Sequence, residues 1–160
     1  MSLILGVDPG AVSGAYAVLD GGGTLIEVDD LPTIADGKLR WVDGPVLLSR
    51  LIEIKGGRPM QAMVERQGAR PGQGLSSTFT SACAFGALLA TLQIAGCSIE
   101  LTTAASWKTV MHLSKDKAVS LDRARLLYPG ASLDRKKDHG RAEAIMLARY
   151  ALSRMTTAAA

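Results

Sequence analysis

Aromatic residues are scarce in this chain of 160 residues: two Phe, two Trp and three Tyr, 4% of the whole. An aromatic platform for stacking bases or sugars is therefore not its main binding device. Cysteine is limited to Cys83 and Cys97, and histidine to His112 and His139, with no CxxC spacing and no clustered ligand set. That excludes a structural zinc site and a disulfide framework, and it fits reduced thiols in the cytoplasm. No basic stretch leading into a long apolar region and a small-residue cleavage site opens the chain, so no secretory signal is read. No apolar run is read as approaching the ~18 residues that a membrane span needs. The expectation is a cytoplasmic protein with no membrane contact, built as one domain over residues 1–155 with a disordered tail at 156–160.

What is present is an uneven charge distribution. Residues 1–65 hold five Lys/Arg against nine Asp/Glu, whereas residues 66–160 hold thirteen against six, and the whole chain carries +3. Basic residues gather at Arg66, Arg70, Lys108, Lys115, Lys117 and the run Arg135-Lys136-Lys137. Lys and Arg gain affinity by displacing counterions from phosphates, so the asymmetry points to a polyanionic partner.

Hydrophobic periodicity and turn residues set out the elements. Strands are read at 2–8, 13–20 and 24–28, with Gly21-Gly22-Gly23 between the last two, and these short connections predict an antiparallel meander. Apolar residues at helical spacing over 45–54, opened by Pro45 and closed by Gly56, predict a helix. A fourth strand at 61–65 follows, and a strand–helix–strand crossover makes it parallel to the first. A Gly-rich basic loop over 67–77 leads into a helix at 76–95 that is apolar nearly all round and carries no charge. A fifth strand at 98–102, short helices at 105–111 and 115–127, and a last helix at 140–154 complete the reading. Three antiparallel strands, a helix, two parallel strands and closing helices give an α/β chain in the strand order of the ribonuclease H-like fold.

The chemistry concentrates in acids at the ends of apolar strands. In Leu3-Ile4-Leu5-Gly6-Val7-Asp8-Pro9-Gly10 a carboxylate closes a buried-type strand just before a Pro-Gly turn, at a sheet rim where a metal or polar substrate can reach it. Met60-Gln61-Ala62-Met63-Val64 repeats the arrangement with Glu65, and Asp138 and Glu143 stand at the opening of the last helix. Hard divalent cations such as Mg²⁺ take oxygen ligands from a few carboxylates, phosphate and water. Two such ions can stabilise the attacking and leaving oxygens of an in-line displacement at phosphorus. One acid from each of three distant segments is what such a site requires.

On these landmarks the chain resembles the RuvC family of Holliday-junction resolvases, metal-dependent nucleases that cut four-way DNA junctions. The resemblance implies two Mg²⁺ ions per site, with Mn²⁺ as a substitute, no nucleotide cofactor, and Asp8, Glu65, Asp138 and Glu143 as ligands. Glu143-Ala144-Ile145 stands where the family has Asp-Ala-Leu, but the residue three earlier, where the family places a second acid or a His, is Gly140. His139, four before Glu143, is the alternative ligand to Asp138 or a proton-handling neighbour, and both stay open. Arg66, Arg70, Lys108, Lys115, Lys117, Lys136 and Lys137 become the expected DNA-binding surface, with Lys117 also placed to stabilise transition-state charge. Trp107 is read as a core anchor at a helix start or a DNA contact. Where relatives often carry an aromatic just beyond the catalytic Glu, this chain has Gly68.

A four-way junction asks for two symmetric cuts, and a two-fold homodimer supplies two sites. The charge-free helix is the expected interface, through Ala84, Phe85, Ala87, Leu88, Thr91 and Leu92. Competing readings are a nuclease acting on other branched DNA or on RNA, a non-catalytic junction-binding protein, and an actin-like nucleotide enzyme. The last needs a second such domain and a second phosphate loop.

Overall fold

In the computed structural model, which describes residues 2–10, 12–69 and 71–158, the first apolar run becomes the centre of the sheet. Strand β1 (Leu3–Asp8) pairs antiparallel with β2 (Ala15–Asp20), which pairs antiparallel with β3 (Leu25–Asp30). On its other side β1 runs parallel to β6 (Met60–Glu65), and β6 parallel to β7 (Ser98–Thr102), giving the order β3-β2-β1-β6-β7. This is the mixed five-stranded sheet that the element order predicts. The β2–β3 turn is closed by Asp20, whose Oδ1 accepts from the amides of Gly22 at 2.9 Å and Thr24 at 2.8 Å.

The expected elements miss one hairpin. Strands β4 (Thr33–Asp36) and β5 (Leu39–Val42) pair as a separate two-stranded ribbon between β3 and the first helix. Each is four residues long, too short to show the alternation by which a half-buried strand is recognised. Helix α1 (Gly44–Lys55) follows, with Asp43 Oδ1 accepting from the Val46 amide at 3.2 Å and Gly56 closing it at φ 51°. Helix α2 (Leu75–Ile94) lies with α1 on one face of the sheet, and α5 (His139–Ala158) covers the other. Helices α3 (Ala104–Val110) and α4 (Lys117–Leu127) fill the interval between β7 and α5. Thr156 and Thr157 are helical, their hydroxyls bonded to the Ser153 carbonyl at 2.8 and 2.9 Å, where the sequence reading begins a disordered tail.

Strand periodicity decides which side of β1 does what. Leu3, Leu5 and Val7 pack with Leu47, Leu51, Leu88 and Leu92, while Ile4 packs with Met146, Leu147 and Ala148 of α5. Gly6 shares the α5 side, and α5 comes so close there that a Cβ on Gly6 would lie 2.1 Å from the Ala144 carbonyl oxygen and 2.4 Å from the Ala148 nitrogen. At the start of the same helix a Cβ on Gly140 would lie 2.2 Å from the Ser13 carbonyl oxygen and 3.5 Å from Asp8 Oδ2. Gly140, Ala144 and Ala148 thus form a small-residue stripe that seats α5 on β1. Asp8, two residues beyond Gly6, consequently faces the first turns of α5.

The burial of α2 overturns the expected interface. Ala84, Leu88, Thr91 and Leu92 are buried within the chain and not available to a second subunit, while Phe85 and Ala87 pack against the same core but keep part of their surface exposed. A helix without charge offers no polar face from which to fix its rotation, which is why the sequence did not reveal the buried side. The outward stripe holds Phe79, Ala82, Gly86 and Ala90, with Phe79 61% exposed. Contrary to the reading that no apolar run nears the length of a span, α2 has a mean hydropathy of 1.4 over an 18-residue window, enough by length and composition to cross a membrane. In this fold its inner edge belongs to the core of the sheet.

The α5–β1 seat is testable. Gly6→Ala must push α5 off the sheet or strain β1, and it is expected to destabilise the fold by about 1–3 kcal/mol or more in urea unfolding. An unchanged midpoint would mean that the contact yields without cost.

Candidate active site

Parallel pairing puts the carboxyl ends of β1 and β6 at one rim, with Val7 opposite Val64, so Asp8 and Glu65 close neighbouring strands. Helix α5, seated on β1 by its small residues, brings Glu143 to the same rim. Glu65 and Glu143 are both buried, 8% and 5% exposed. Asp8 keeps some exposed surface, but its carboxyl lies deep against the start of α5. Burial pushes its pKa from 3.8 up to about 8, with the negative charges of Glu143 and Glu65 adding to the rise and Lys117 and Lys108 opposing it.

Two consecutive residues of α3 hold the other two acids. Trp107, fully buried, donates its indole N–H to Glu65 Oε2 at 2.8 Å. Lys108 extends over the Trp107 ring, 5.2 Å from its centroid, and places Nζ 2.5 Å from Glu143 Oε1. Helix α3 reaches this position because it starts directly after β7, which lies beside β6. The Arg66 amide donates to the Thr102 carbonyl at 2.7 Å across the two strand ends, and Thr103 Oγ1 caps α3 by accepting from the Ser106 amide at 3.2 Å. Trp107 is therefore the core anchor that the sequence suggests and also a partner of a candidate catalytic acid. Its place at the helix start next to the Glu65 strand was the available signal.

Two sequence assignments change. Asp138 does not join the acids. Its Oδ2 accepts from the Arg135 amide at 2.8 Å and its Oδ1 from Arg135 Nε at 2.6 Å. Burial works to raise its pKa, but these bonds and the Arg135 charge outweigh it and hold the carboxyl below the usual range. Gly140 lies within the first turn of α5. The helix begins at His139, and the Ser13 carbonyl occupies the space that a side chain at 140 would need. Lys108 is not an open phosphate contact, because it is largely buried and ion-paired to Glu143.

The remaining basic residues flank the rim. Lys117, Lys136 and His139 line one cleft of about 310 Å³ together with Leu121, Asp122 and Arg125. Gly10, Ser13, Lys38 and the start of α2 line a second cleft of about 600 Å³. Arg66, Lys115 and Lys137 are exposed, and Arg70 lies outside the described residues. Arg135 and Arg141 serve the scaffold. Arg141 pairs with Asp29 at 2.6 Å and Asp30 at 2.7 Å, and Arg135 bridges Asp30 and Asp138, tying the approach to α5 to the end of β3. Sequence reasoning missed this network, since its partners are more than a hundred residues apart.

Among the described residues no three His, Cys, Asp or Glu side chains converge closely enough to hold an ion as they stand. The donor chemistry nevertheless fits a hard divalent cation. Three oxygen-donor carboxylates share one rim, Asp8 is pushed towards its protonated form by burial and by the other two, and Glu143 is satisfied by an ammonium that a cation can replace.

The crowding has a stability signature with divalent ions chelated. Below about pH 4 Asp8 is protonated in both the folded and unfolded chain. From there to about pH 8 the unfolded carboxyl ionises while the folded one keeps its proton, so stability falls as pH rises through this window. Asp8→Asn lacks this loss. Its advantage over the wild type in EDTA should widen from pH 4 to 8, to a few kcal/mol at about 1.4 kcal/mol per pKa unit. A constant difference across that range in chemical denaturation would contradict the electrostatic origin of the shift.

No family model matches the chain. In sequence it is 31% identical over 148 residues to the chloroplastic Holliday junction resolvase MOC1 of Chlamydomonas reinhardtii, an alignment that takes in 77% of this chain and 17% of that protein's length. In structure it is similar to Thermus thermophilus RuvC in complex with Holliday junction substrate, with a TM-score of 0.68, 19% identity and 97% of each chain covered. A second Thermus thermophilus RuvC structure superposes with a TM-score of 0.57 at 18% identity and the same coverage. The chain has the ribonuclease H-like fold in the form seen in RuvC, and its sequence resembles that of a Holliday junction resolvase.

Proposed function

We propose that this chain is a metal-dependent endonuclease that resolves four-way DNA junctions by paired, symmetric phosphodiester hydrolysis. The observation that carries this reading is the gathering of Asp8, Glu65 and Glu143 at one sheet rim, where burial first and the charges of the two glutamates second raise the Asp8 pKa to about 8. A purely structural site does not gain from burying like charges together; a site that receives cations does. MOC1 is a Holliday junction resolvase and the Thermus thermophilus RuvC is bound to a Holliday junction substrate, which makes four-way junction DNA the proposed substrate here.

Asp8, Glu65 and Glu143 would hold Mg²⁺, two ions per site with Mn²⁺ as a substitute, and His139 joins them in place of Asp138. His139 and Glu143 lie four apart in α5, which puts them on one face. When bound, the ions would activate water and neutralise charge developing on the phosphate. The chain's own residues bind and orient the DNA. Lys117 brings its charge to the Asp8 side of the rim, and Arg66, Arg70, Lys115, Lys136 and Lys137 contact phosphates on either side.

Cleavage assays on four-way, three-way and linear duplexes with Mg²⁺ test the reading. Preferential paired nicking of the four-way junction is expected, together with a loss of at least about a hundredfold in Asp8→Asn and Glu143→Gln while junction binding persists. Replacing Lys117, Lys136 and Lys137 together by Ala should flatten the salt dependence of binding. Equal cutting of all substrates would favour a general branched-DNA nuclease. Binding without cutting would make the chain a non-catalytic junction protein.

The functional unit proposed is a two-fold homodimer built on the outward stripe of α2. Phe79, Ala82, Gly86 and Ala90 form a charge-free surface on a helix whose other edge is already in the core, and small residues allow a second helix to approach closely. A Cβ on Gly86 meets nothing within 4 Å, so a side chain there is accommodated within one subunit. Gly86→Arg is accordingly expected to remain folded but to sediment as a monomer and to lose paired cutting. A wild-type mass of 16.8 kDa by light scattering at micromolar concentration would refute the dimer.

A further inference from the structure

We infer that Trp107 is a positioning residue for the metal site, setting through its indole N–H which oxygen of Glu65 faces an incoming cation. The inference rests on the metal-site reading above and deepens it. Trp107 is fully buried among Ile4, Met63 and Met146, so its ring has no room to rotate and its N–H direction is set by the core. That N–H lies 2.8 Å from Glu65 Oε2 and is the neighbour that fixes the carboxylate, leaving Oε1 as the oxygen without this bond. A neutral donor orients a carboxylate while leaving its charge intact, so Glu65 keeps its full attraction for a cation.

The contrast with the next residue sharpens the assignment. Lys108 holds Glu143 by a full positive charge at 2.5 Å, and a divalent ion competes directly with that ammonium. It does not compete with Trp107, because an indole N–H takes one carboxylate oxygen and the cation takes the other. Helix α3 thus keeps Glu65 preset by a neutral bond and Glu143 in reserve behind an exchangeable one. A Trp with only a packing role would serve equally with any acceptor, whereas here the acceptor is the strand-end acid beside Asp8.

Trp107→Phe keeps most of the ring volume and removes the N–H. Mg²⁺ titration followed by melting temperature should shift its midpoint about 10- to 100-fold upward in this variant, the usual range for losing an outer partner of a metal ligand. Cleavage at saturating Mg²⁺ should fall far less than cleavage at limiting Mg²⁺. A second measurement leaves Trp107 in place. Trp41 is the other tryptophan, so in Trp41→Phe the indole emission reports Trp107 alone. It should change saturably with Mg²⁺, and the change should vanish when Glu65→Gln is added, a substitution that keeps an acceptor but removes the charge. A midpoint in Trp107→Phe equal to that of the wild type overturns the inference, as does a Trp107 emission indifferent to Mg²⁺ in a protein whose melting temperature responds to it. If Trp107→Phe does not fold, the emission result decides. A wild type whose melting temperature and emission both ignore Mg²⁺ instead removes the metal-site reading on which the inference stands.

Discussion

The close seat of α5 on β1 is the contact on which the rest of the arrangement depends. Gly6 on the strand and Gly140, Ala144 and Ala148 on the helix let two backbones approach to a distance at which a single Cβ would overlap a carbonyl oxygen. Without that approach the Asp8 carboxyl would look out over open solvent, and Glu143, one residue before Ala144, would stand too far off to act on it. The same contact explains the departure at position 140. The first turn of α5 is packed on the Ser13 carbonyl, so this chain cannot carry an acid there without moving the β1–β2 turn that presents Asp8. The likeness to RuvC is thus a likeness of framework, with one position of the acid set given over to packing.

Three acids gathered at a rim are costly in isolation, and the surrounding chain limits the cost without removing it. Lys108 neutralises Glu143, Trp107 satisfies one oxygen of Glu65, and Lys117 and Lys108 partly offset the field at Asp8, yet the Asp8 pKa still stands near 8. Local instability of this kind is a common property of functional sites, because the partner that relieves it is absent until function begins. The contrast with Asp138 is instructive. That acid has little accessible surface but is less deeply enclosed than Asp8, it accepts from the Arg135 guanidinium and amide, and its pKa moves down. The two carboxyls differ in direction because Asp8 is deeply enclosed and faces two acids, whereas Asp138 is less enclosed and surrounded by donors.

Much of this was legible in the sequence where a local signal matched a global one. Continuous apolar runs ending in Asp8 and Glu65 announced strands with acids at a rim, and Gly21-Gly22-Gly23, Pro45 and Gly56 punctuated the elements where they occur. The failures share a physical cause, which is that the deciding partner was distant in the chain or the signal had no phase. The rotation of α2 could not be read because no face of the helix carries a charge. The fate of Asp138 turned on Arg135, whose guanidinium is itself held by Asp30, and Lys108 was assigned to solvent because nothing local tied it to Glu143, thirty-five residues later. The β4–β5 hairpin lay below the length at which alternation becomes visible.

The charge asymmetry of the sequence separates in the fold into two populations. Arginines of the second half are used against acids of the first: Arg141 on Asp29 and Asp30, and Arg135 on Asp30. Their planar guanidinium suits this bridging, since one side chain can serve two carboxylates at fixed angles. Lysines remain for other work. Among the described residues Lys115, Lys117, Lys136 and Lys137 are exposed, and no acid lies within ion-pairing distance of them. A flexible ammonium adapts to phosphates whose positions vary along a bent or branched duplex, at the loss of the geometric selectivity that arginine provides. The surplus of thirteen basic residues over six acids therefore overstates the surface offered to a polyanion, and the structure reduces it to a lysine-lined flank beside the acids. In the proposed function, that placement would set two opposing charge demands next to each other: positive charge to hold a nucleic-acid strand, and negative charge to hold the ions that cut it.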